Sequence, residues 1–589
     1  MLKLNRFSKI IIFIILALSI PIVIFLIKDP VQYSYDIEIK NGAIIGYGTD
    51  ENVVLNSKYH GEVISKIDVS SVSTTRTKTL TISKSITSIS TRSFVSLGNL
   101  EAFFVDSENP TYTSVEGVLY NKDKTILIRY PAQKRDETYV IPEGVTKIHP
   151  NAFSGNKYLK ELTIPDSVIR IEEAAFMGMS SLKSIKIPNG VTTIDESTFE
   201  NCTNLESVTL GTKILRMNFR AFKNCVSLKS IVIPESTTSF GGELFYGCKS
   251  LENVVLPSNT REILNGMFAY CSSLKGITLP ETVTTIYYDA FRGTGIESIT
   301  LPTSLKRIDI HAFADCTSLT NIVIPENVKE IECFRNCKNL ESVTILGSNV
   351  NFGAYAFSNC NSLKEFHVKS IDDFVSFSFN NRESNPLNFG ATLYIDGEPI
   401  TNFAFPESTT TINSYLFAGY SLLESVTIPE GITKISSGAF ENCTGISELT
   451  LPSTLQSIQM YAFYNCTSLK TMHIPSIEWW LNMNLSQEFG LFTHLETLYV
   501  NNEMVTEIKI PKTCTSIKAY AFFECKFLTK IEIPSSIKYI NSHAFAKLDH
   551  STTIVYNGTI EQFKEISINS FAFGDYRYEI NCSDGPYTR

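Results

Sequence analysis

Apolar residues recur along most of this chain with a period of 23 residues, and phenylalanine marks the repeat most clearly. Seven phenylalanines from Phe153 to Phe291 are spaced 23 residues apart, and the series continues to Phe357 with steps of 21 to 23 residues. The members are Phe153, Phe176, Phe199, Phe222, Phe245, Phe268, Phe291, Phe313, Phe334 and Phe357, then Phe417, Phe440, Phe463, Phe522 and Phe545. Self-similarity at a fixed period of about 20 to 50 residues is the signature of a solenoid.

Each unit contains the same three local patterns. A short alternation, as in residues 185–187, places two apolar side chains on one face and predicts a half-buried strand. Pro188 follows and ends the strand, because proline lacks an amide donor. A second apolar pair, Val191 and Ile194, leads to the next Phe and a polar turn. We predict that each unit forms one coil, and that equivalent strands stack in parallel about 4.8 Å apart.

The unit AFKNCVSLKSIVIPESTTSF, which begins at Ala221, resembles the BspA-type leucine-rich repeat. That family follows the pattern AF-x-x-C-x-x-L-x-x-I-x-I-P-x-x-V-x-x-I, and the resemblance extends from about Ile37 to the C-terminus. Residues 41–55, 117–131 and 553–566 are similar to the family's opening coil, inserted hairpin and closing element. The resemblance implies a surface-exposed protein of an anaerobic bacterium or a mucosal protist parasite, and several members adhere to host proteins.

The predicted fold is a mainly β leucine-rich-repeat solenoid with two insertions. The segments from Ser362 and Ser468 align at a distance of 106 residues, which indicates that a block was duplicated together with its insertion. The predicted order is a first repeat array at 37–360 with a hairpin insert near 104–131, an insertion module at 361–416, repeats at 417–467, the duplicated insertion module and a repeat at 468–521, and the last repeats with a C-terminal cap at 522–589. Inserts in repeat proteins often map to the binding face, although a helix and hairpin packed on the side would give the same pattern.

The N-terminal segment has the pattern of a membrane anchor. Residues 10–27 are apolar apart from one Ser and one Pro, and three basic residues precede this run while one follows it. Eighteen helical residues span about 27 Å, close to the hydrocarbon thickness of a bilayer. We predict a cytoplasmic segment at 1–9, a transmembrane signal-anchor helix at 10–27 and a linker at 28–36, with the repeats outside the cell. A cleaved signal peptide, which would release the protein, is the alternative.

Charge and motif content exclude several function classes. The chain has 51 Lys and Arg against 60 Asp and Glu, a net charge of −9, without the basic stripe that nucleic acid requires. The eight histidines are scattered, and no GxSxG, HExxH, GxxxxGKS or GxGxxG motif is present. No carboxylate pair for glycoside cleavage can be named. We therefore expect neither catalysis nor a cofactor.

Thirteen cysteines raise the question of disulfides in an exported chain. Ten lie three residues after a phenylalanine of the series: Cys202, Cys225, Cys248, Cys271, Cys316, Cys337, Cys360, Cys443, Cys466 and Cys525. Stacked coils would bring them close to disulfide distance. Buried cysteine also packs as a small apolar residue without any bond, and we expect buried free thiols. The sequence has no Cys-x-x-Cys pair, so no zinc site is expected.

The residue between the two inward positions of each strand should point outward. Stacked coils would align these residues in a flat strip of low charge, which suits an extended protein or glycan because few charges must lose water. Thr and Val would also occur there simply because they favour strands. The predicted ligand-binding residues are Thr209, Val232, Val255, Thr278, Thr300 and Val323 of the strip, with Trp479 and Trp480 of the second insertion. Tryptophan is a typical interface anchor, although one of the two should pack inward.

These features together predict a membrane-tethered solenoid that binds an unidentified host or extracellular protein or glycan at the cell surface. A structural surface coat that assembles with itself and has no other ligand is the alternative. The oligomeric state is open at this point. Three possible N-glycosylation sites, Asn201, Asn442 and Asn465, lie in the polar turn after the phenylalanine, where a glycan would have little room.

Overall fold

A computed structural model of the chain describes residues 37–69, 76–486, 494–574 and 578–588. Coils of the 23-residue repeat pair in parallel with their neighbours, so that Ile185 lies beside Val208 and Ile194 beside Met217. The predicted mainly β solenoid is therefore confirmed. The predicted anchor at 10–27 and its flanking segments lie outside the described residues, and within those residues no helix has the length and apolar character needed to cross a membrane.

Most coils contain two strands. A long strand of three or four residues precedes the proline, and a strand of only two residues forms at the second apolar pair, as at Ser184–Lys186 and Thr193–Ile194. We call the surfaces formed by the outward residues of these two ladders the long-strand face and the short-strand face. The sequence pattern predicts the first ladder only, because two residues are too few to establish an alternation.

The N-terminal unit, residues 37–105, has its own apolar core around Tyr47, Phe94 and Phe103. Its strands are Glu38–Lys40, Ala43–Gly46, Lys66–Ile67 and Ser88–Ile89 in one sheet, Asn52–Leu55, Thr79–Ile82 and Ala102–Val105 in a second, and Lys58–Tyr59 with Glu62–Val63 in a small hairpin. The Tyr47 hydroxyl donates to the Ser93 carbonyl at 2.7 Å, so the buried phenol has a partner.

An antiparallel insert joins this unit to the main solenoid, within the segment where the sequence predicts a hairpin. Its strands are Tyr112–Val115, Val118–Asn121 and Ile126–Arg129, and the last of them pairs in parallel with Lys147–Ile148. Arg129 is only 4% exposed and donates to the backbone carbonyls of Asn151 and Ser154. Burial lowers the pKa of Arg129 to about 10. Arg129 thus ties the insert to the first coils of the main solenoid.

The first array comprises residues 130–400. Its long strands are Thr138–Val140, Glu161–Thr163, Ser184–Lys186, Ser207–Thr209, Ser230–Val232 and Asn253–Val255 in one sheet, and Asn321–Ile324, Ser342–Ile345, Glu365–Val368, Thr392–Ile395 and Glu398–Pro399 in another. Its short strands are Lys147–Ile148, Arg170–Ile171, Thr193–Ile194, Arg216–Met217, Ser239–Phe240, Glu262–Ile263, Thr285–Ile286, Arg307–Ile308, Glu330–Ile331, Asn351–Phe352 and Ser378–Phe379. Two 3-10 turns, Arg382–Ser384 and Pro386–Phe389, precede the strand Thr392–Ile395.

Two further arrays follow, at residues 401–505 and 506–588. The second array has long strands Asn402–Ala404, Ser425–Thr427, Glu448–Thr450, Thr471–Ile474, Thr497–Val500 and Glu503–Val505, with short strands Thr411–Ile412, Lys434–Ile435, Ser457–Ile458 and Asn484–Leu485. The third array has long strands Glu507–Lys509, Lys530–Ile533, Thr553–Tyr556, Glu579–Cys582 and Gly585–Thr588, with short strands Ser516–Ile517, Tyr539–Ile540 and Ser567–Ile568.

Each of the three arrays ends in the same module. A capped helix is followed by a short strand, a long strand and a strand that pairs antiparallel with it. The helices are α1 (Ile371–Val375), α2 (Ile477–Asn482) and α3 (Ile560–Lys564), with N-caps Ser370, Ser476 and Thr559. The sequence reveals the first two modules as copies, and the structure adds the C-terminal cap as a third. The antiparallel strand occupies the sheet edge, so the parallel ladder stops there.

The phenylalanine series forms a stack through the core. Phe199 and Phe222 lie with ring centroids 5.2 Å apart and an interplanar angle of 10°. The stack runs to Phe357, and further stacks follow in the second and third arrays. After the first array, Phe374 of α1 meets Phe417 edge to face at 5.1 Å. The helix therefore supplies an aromatic ring where an ordinary coil is missing.

The cysteine series forms a second line of contacts between coils. Nine of the ten thiols in the series donate to the carbonyl of the phenylalanine one coil earlier, as from Cys225 to Phe199 and from Cys248 to Phe222, both at 3.1 Å. The tenth, Cys525, lies 4.0 Å from the Phe523 carbonyl of its own coil. All 13 cysteines are free, and all except Cys582 are buried. The predicted buried thiols are therefore confirmed, and most of the series also forms hydrogen bonds between coils.

Asparagine precedes many of these cysteines because the backbone there is left-handed. Asn201, Asn224 and Asn465 have φ angles of 61°, 58° and 58°, a region that asparagine adopts more readily than most residues. Asn224 donates from Nδ2 to Oδ1 of Asn201 at 3.0 Å, and Asn465 donates to Asn442 at 2.8 Å. Two predicted N-glycosylation sites thus pair with each other, and a glycan on Asn465 would replace one of the two hydrogens on the donor nitrogen.

Phe222→Ala should destabilise the middle of the first array. The ring is fully buried between Phe199 and Phe245, and truncation of such a ring lowers the free energy of unfolding by about 3–5 kcal/mol. Denaturant unfolding and limited proteolysis measure the loss. The exposed control Val232→Ala should change stability by less than about 0.5 kcal/mol. An unchanged proteolytic pattern in Phe222→Ala would contradict the stacked core.

The buried thiols should make the protein sensitive to alkali. Burial raises the pKa of Cys202, Cys248 and Cys466 from 9.0 to about 12. Because the neutral thiol is favoured in the folded state, this stabilisation is complete below about pH 9 and is lost as the pH rises toward 12. A variant with these three cysteines changed to Ala should therefore lose stability less steeply than the parent above about pH 9. Parallel stability curves in urea unfolding would contradict the assignment.

Candidate binding faces

The long-strand face carries the strip that the sequence predicts. Val232 and Val255 are 65% and 53% exposed and lie beside each other in register. Thr209 is also exposed and pairs in register with Lys186 of the preceding strand. Val323 is exposed in the second sheet of the first array, in register with Thr344. These residues present a surface of Val and Thr on the long-strand face.

The strip is not continuous. Thr278 and Thr300 are exposed, but neither lies in a strand, and the first sheet ends at Asn253–Val255. One cause is the turn between Phe291 and Ile296, which is one residue shorter than the turn between Phe268 and Leu274. The short turn passes close to the preceding coil, because a Cβ on Gly295 would collide with the Ser272 carbonyl. The missing residue accounts for the 22-residue step between phenylalanines and interrupts the alignment of neighbouring strands. Between residues 256 and 320 the expected strip is therefore not supported by paired long strands.

The two tryptophans have different positions in α2. Trp480 is only 1% exposed, lies in the core and donates from Nε1 to the Ala521 carbonyl at 2.7 Å. Trp479 is partly exposed and donates from Nε1 to the Ser453 carbonyl at 2.8 Å. The N-cap at Ser476 sets this helical phase. Trp480 therefore drops out of the candidate binding residues, and Trp479 remains at the surface of the second array.

The long-strand face also carries two pairs of rings that sequence reasoning missed. His367 lies parallel to Tyr394 at 4.6 Å, and His473 lies parallel to Tyr499 at 4.4 Å, each on the last parallel strand pair of its array. A hydrogen bond with His367 holds the pKa of Glu365 below its ordinary value. The signal was present in the sequence, since the duplicated blocks align both the histidine and the tyrosine.

The short-strand face, in contrast, contains open clefts. A cleft of about 490 Å³ lies among Arg170, Glu172, Asp195 and Asn218. A second of about 700 Å³ lies farther along the face and is lined by Thr238, Ser239, Thr260, Arg261, Glu262 and Thr284. A third of about 600 Å³ lies between Arg307–Ile308 and Asn351, near the end of the first array. Ligand sites are typically concave and of this volume.

The chemistry of these clefts is that of recognition by many polar contacts. The lining side chains are mostly hydroxyls, amides and charged groups of both signs. Within residues 37–69, 76–486, 494–574 and 578–588, no group of three or more His, Cys, Asp or Glu side chains could hold a metal ion. The sequence contained one signal for this face, the 21-residue step between Phe313 and Phe334, which shortens a coil beside the third cleft.

Comparison with known families agrees with the coil geometry. The BspA type leucine rich repeat region family matches residues 38–124, 132–252, 238–364, 388–479 and 493–585. The chain belongs to the BspA-type leucine-rich-repeat family. The first resemblance drawn from the sequence is thereby confirmed. No curated protein matches the chain.

Several solved structures of leucine-rich repeat proteins are similar to this chain. A leucine-rich repeat protein from Bacteroides ovatus is 25% identical, with a TM-score of 0.45 over 76% of this chain and 97% of that protein. One from Eubacterium ventriosum is 28% identical, with a TM-score of 0.39 over 43% and 67% of the two chains. A leucine rich cell surface protein from Faecalibacterium prausnitzii is 23% identical, with a TM-score of 0.36 over 55% and 90%.

The tryptophan assignment can be checked by fluorescence, because the chain has only two tryptophans. Trp479→Phe leaves the buried Trp480, whose emission should be blue-shifted and poorly quenched by acrylamide. The reciprocal variant Trp480→Phe leaves Trp479, which should be quenched more strongly because one side of its ring is exposed. Equal quenching of the two variants would contradict the helical phase described above.

Proposed function

We propose that this protein is a cell-surface binding protein that recognises an extracellular macromolecule along its short-strand face. The observation that supports this proposal is the series of clefts of about 490, 700 and 600 Å³ on that face. Coils of one repeat bring equivalent side chains into line, so a long partner can contact many coils at once. Many modest contacts then add to a useful affinity, although no single cleft is deep.

Location at the cell surface rests on two observations of different kind. Membership of the BspA-type family favours an extracellular repeat region, and the apolar run at residues 10–27 predicts an anchor that holds the solenoid outside the membrane. The family and the solenoid favour a binding scaffold over an enzyme. A host protein and a glycan both fit this proposal, because each presents an extended polar surface.

One observation favours self-assembly as a second candidate function. Val140, Val232 and Val255 are all more than half exposed on the first sheet of the long-strand face. A shallow apolar sheet face is suited to lateral packing of one solenoid on another. In that case the protein would form part of a surface coat, and the clefts would remain free for other contacts.

Two serines of a single coil allow the faces to be compared directly. Ser230 lies on the long-strand face and Ser239 on the short-strand face, and both are exposed. We expect Ser239→Lys to weaken binding of the purified full-length chain to arrayed extracellular matrix proteins and glycans. Ser230→Lys should leave this binding unchanged, because the same charge is then added on the opposite ladder.

The outcomes separate the two candidate functions. Loss of binding in Ser230→Lys alone would move the binding surface to the long-strand face. A blank array together with concentration-dependent self-association in sedimentation would replace recognition by assembly, and Val232→Lys with Val255→Lys should then abolish that association. Both serine variants are expected to retain the unfolding midpoint of the parent, because the two positions are solvent-exposed.

A further inference from the structure

One coil of the first array is shorter than its neighbours on the short-strand face. Five positions separate Ile308 from Phe313, whereas only three separate Ile331 from Phe334. No residue of this coil therefore corresponds to Ile310 or His311 of the preceding one. The coils remain connected, since the His311 amide donates to the Glu332 carbonyl at 3.1 Å. We call the gap left by the two missing residues the notch.

The cleft of about 600 Å³ opens at the notch, and its wall has an apolar part. Tyr288 and Ile310 are 45% and 46% exposed and line the cleft on the side of the preceding coils. The Tyr288 ring makes a tilted contact with His311 at 5.7 Å, which limits its movement. An exposed aromatic ring held in place is a surface on which an apolar ligand face can pack.

The polar part of the wall has unused hydrogen-bonding groups. The Asn351 and Asn380 amides and the Glu332 carboxylate line the cleft, and none of these side chains makes a hydrogen bond to another described residue. Gly353 leaves space for the Glu332 side chain, because a Cβ at position 353 would collide with Oε2 of that carboxylate. Partial burial raises the pKa of Glu332. Amide donors and carboxylate acceptors are thus available side by side.

The formal charges around the cleft cancel. Lys306, Arg307 and Lys329 stand against Asp309, Glu330 and Glu332. Two of the cations are already engaged, since Arg307 Nε lies 2.5 Å from Asp309 and Lys329 Nζ donates to the Ser348 carbonyl at 2.8 Å. A phosphate or a carboxylate that paired with Lys306 would also face the carboxylates of Asp309, Glu330 and Glu332, so the cleft offers an anion no net attraction. A neutral ligand that both donates and accepts hydrogen bonds fits this wall best.

We propose that the notch binds a neutral oligosaccharide, with a sugar ring packed on Tyr288 and its hydroxyls paired with Asn351, Asn380 and Glu332. A sugar ring has an apolar face formed by C–H groups and a rim of hydroxyls that donate and accept. It therefore matches the exposed ring on one side of the cleft and the free amides and carboxylate on the other. This assignment rests on the proposed function and gives one site of the short-strand face a ligand class.

An array of neutral and anionic oligosaccharides, probed with the purified full-length chain, tests the proposal. We expect saturable binding of neutral members, and an affinity about tenfold or more weaker in Tyr288→Ala, as for the loss of an aromatic anchor. Asn380→Ala should weaken the same members. The matched control is Tyr539→Ala, because Tyr539 is an exposed tyrosine of the short-strand face in the third array.

A second variant tests the notch itself rather than one side chain. Insertion of Ile-His between Glu332 and Cys333 copies the preceding coil and should fill the cleft, which abolishes oligosaccharide binding. Circular dichroism and tryptophan fluorescence test whether this variant is folded. If it is not folded, the result for Tyr288→Ala alone decides the test. Binding of anionic members only, binding of no member, or binding of neutral members with equal affinity by Tyr288→Ala and the parent would overturn the proposal. Matrix-protein binding that still depends on Ser239 would leave the proposed function standing, so the two failures can be told apart.

Discussion

No coil of this protein can bury its own phenylalanine. The Phe222 ring is covered by Phe199 on one side and Phe245 on the other, and each of those rings depends on the next. Stability is therefore shared between neighbours, as in other solenoids. Where a coil carries the cysteine, its thiol in most cases donates to a carbonyl of the coil before it, which fixes the rotation of one coil on another. Within each array, the rest of the fold accommodates this stack of rings.

Variation in coil length is consequently confined to the surface. The step from Phe291 to Phe313 is one residue short and that from Phe313 to Phe334 two residues short, yet the ring centroids remain 5.2 and 5.6 Å apart. The first deletion shortens a turn and interrupts the long-strand ladder. The second removes two residues from the short-strand face and leaves a notch. The stack is kept while the two faces change, and that is how a regular core acquires an irregular surface.

The core was largely predictable because it is periodic. The phenylalanine spacing predicts the coil, and the cysteine spacing predicts buried thiols, since both patterns repeat many times. The short strands were not predictable from two residues, and the left-handed positions are filled by Asn, Gly, Asp and Tyr without a single signature. Trp480 rather than Trp479 is buried because the helix begins after Ser476. Two adjacent tryptophans in the sequence do not indicate which of them faces the core. The clefts of the short-strand face were hardest to predict, because two of them lie where the repeat is regular and only the third lies beside a shortened coil.

The modules at the ends of the arrays have a consequence for how such a chain can change its length. Each carries a helix with a buried aromatic residue and an antiparallel strand that closes the sheet. A gene that gains or loses one 106-residue block by unequal recombination would therefore encode a chain in which every array still has its own end. No new sheet edge would be exposed to other molecules. The length of the solenoid can thus be altered in one genetic event, while the coils that remain keep their contacts.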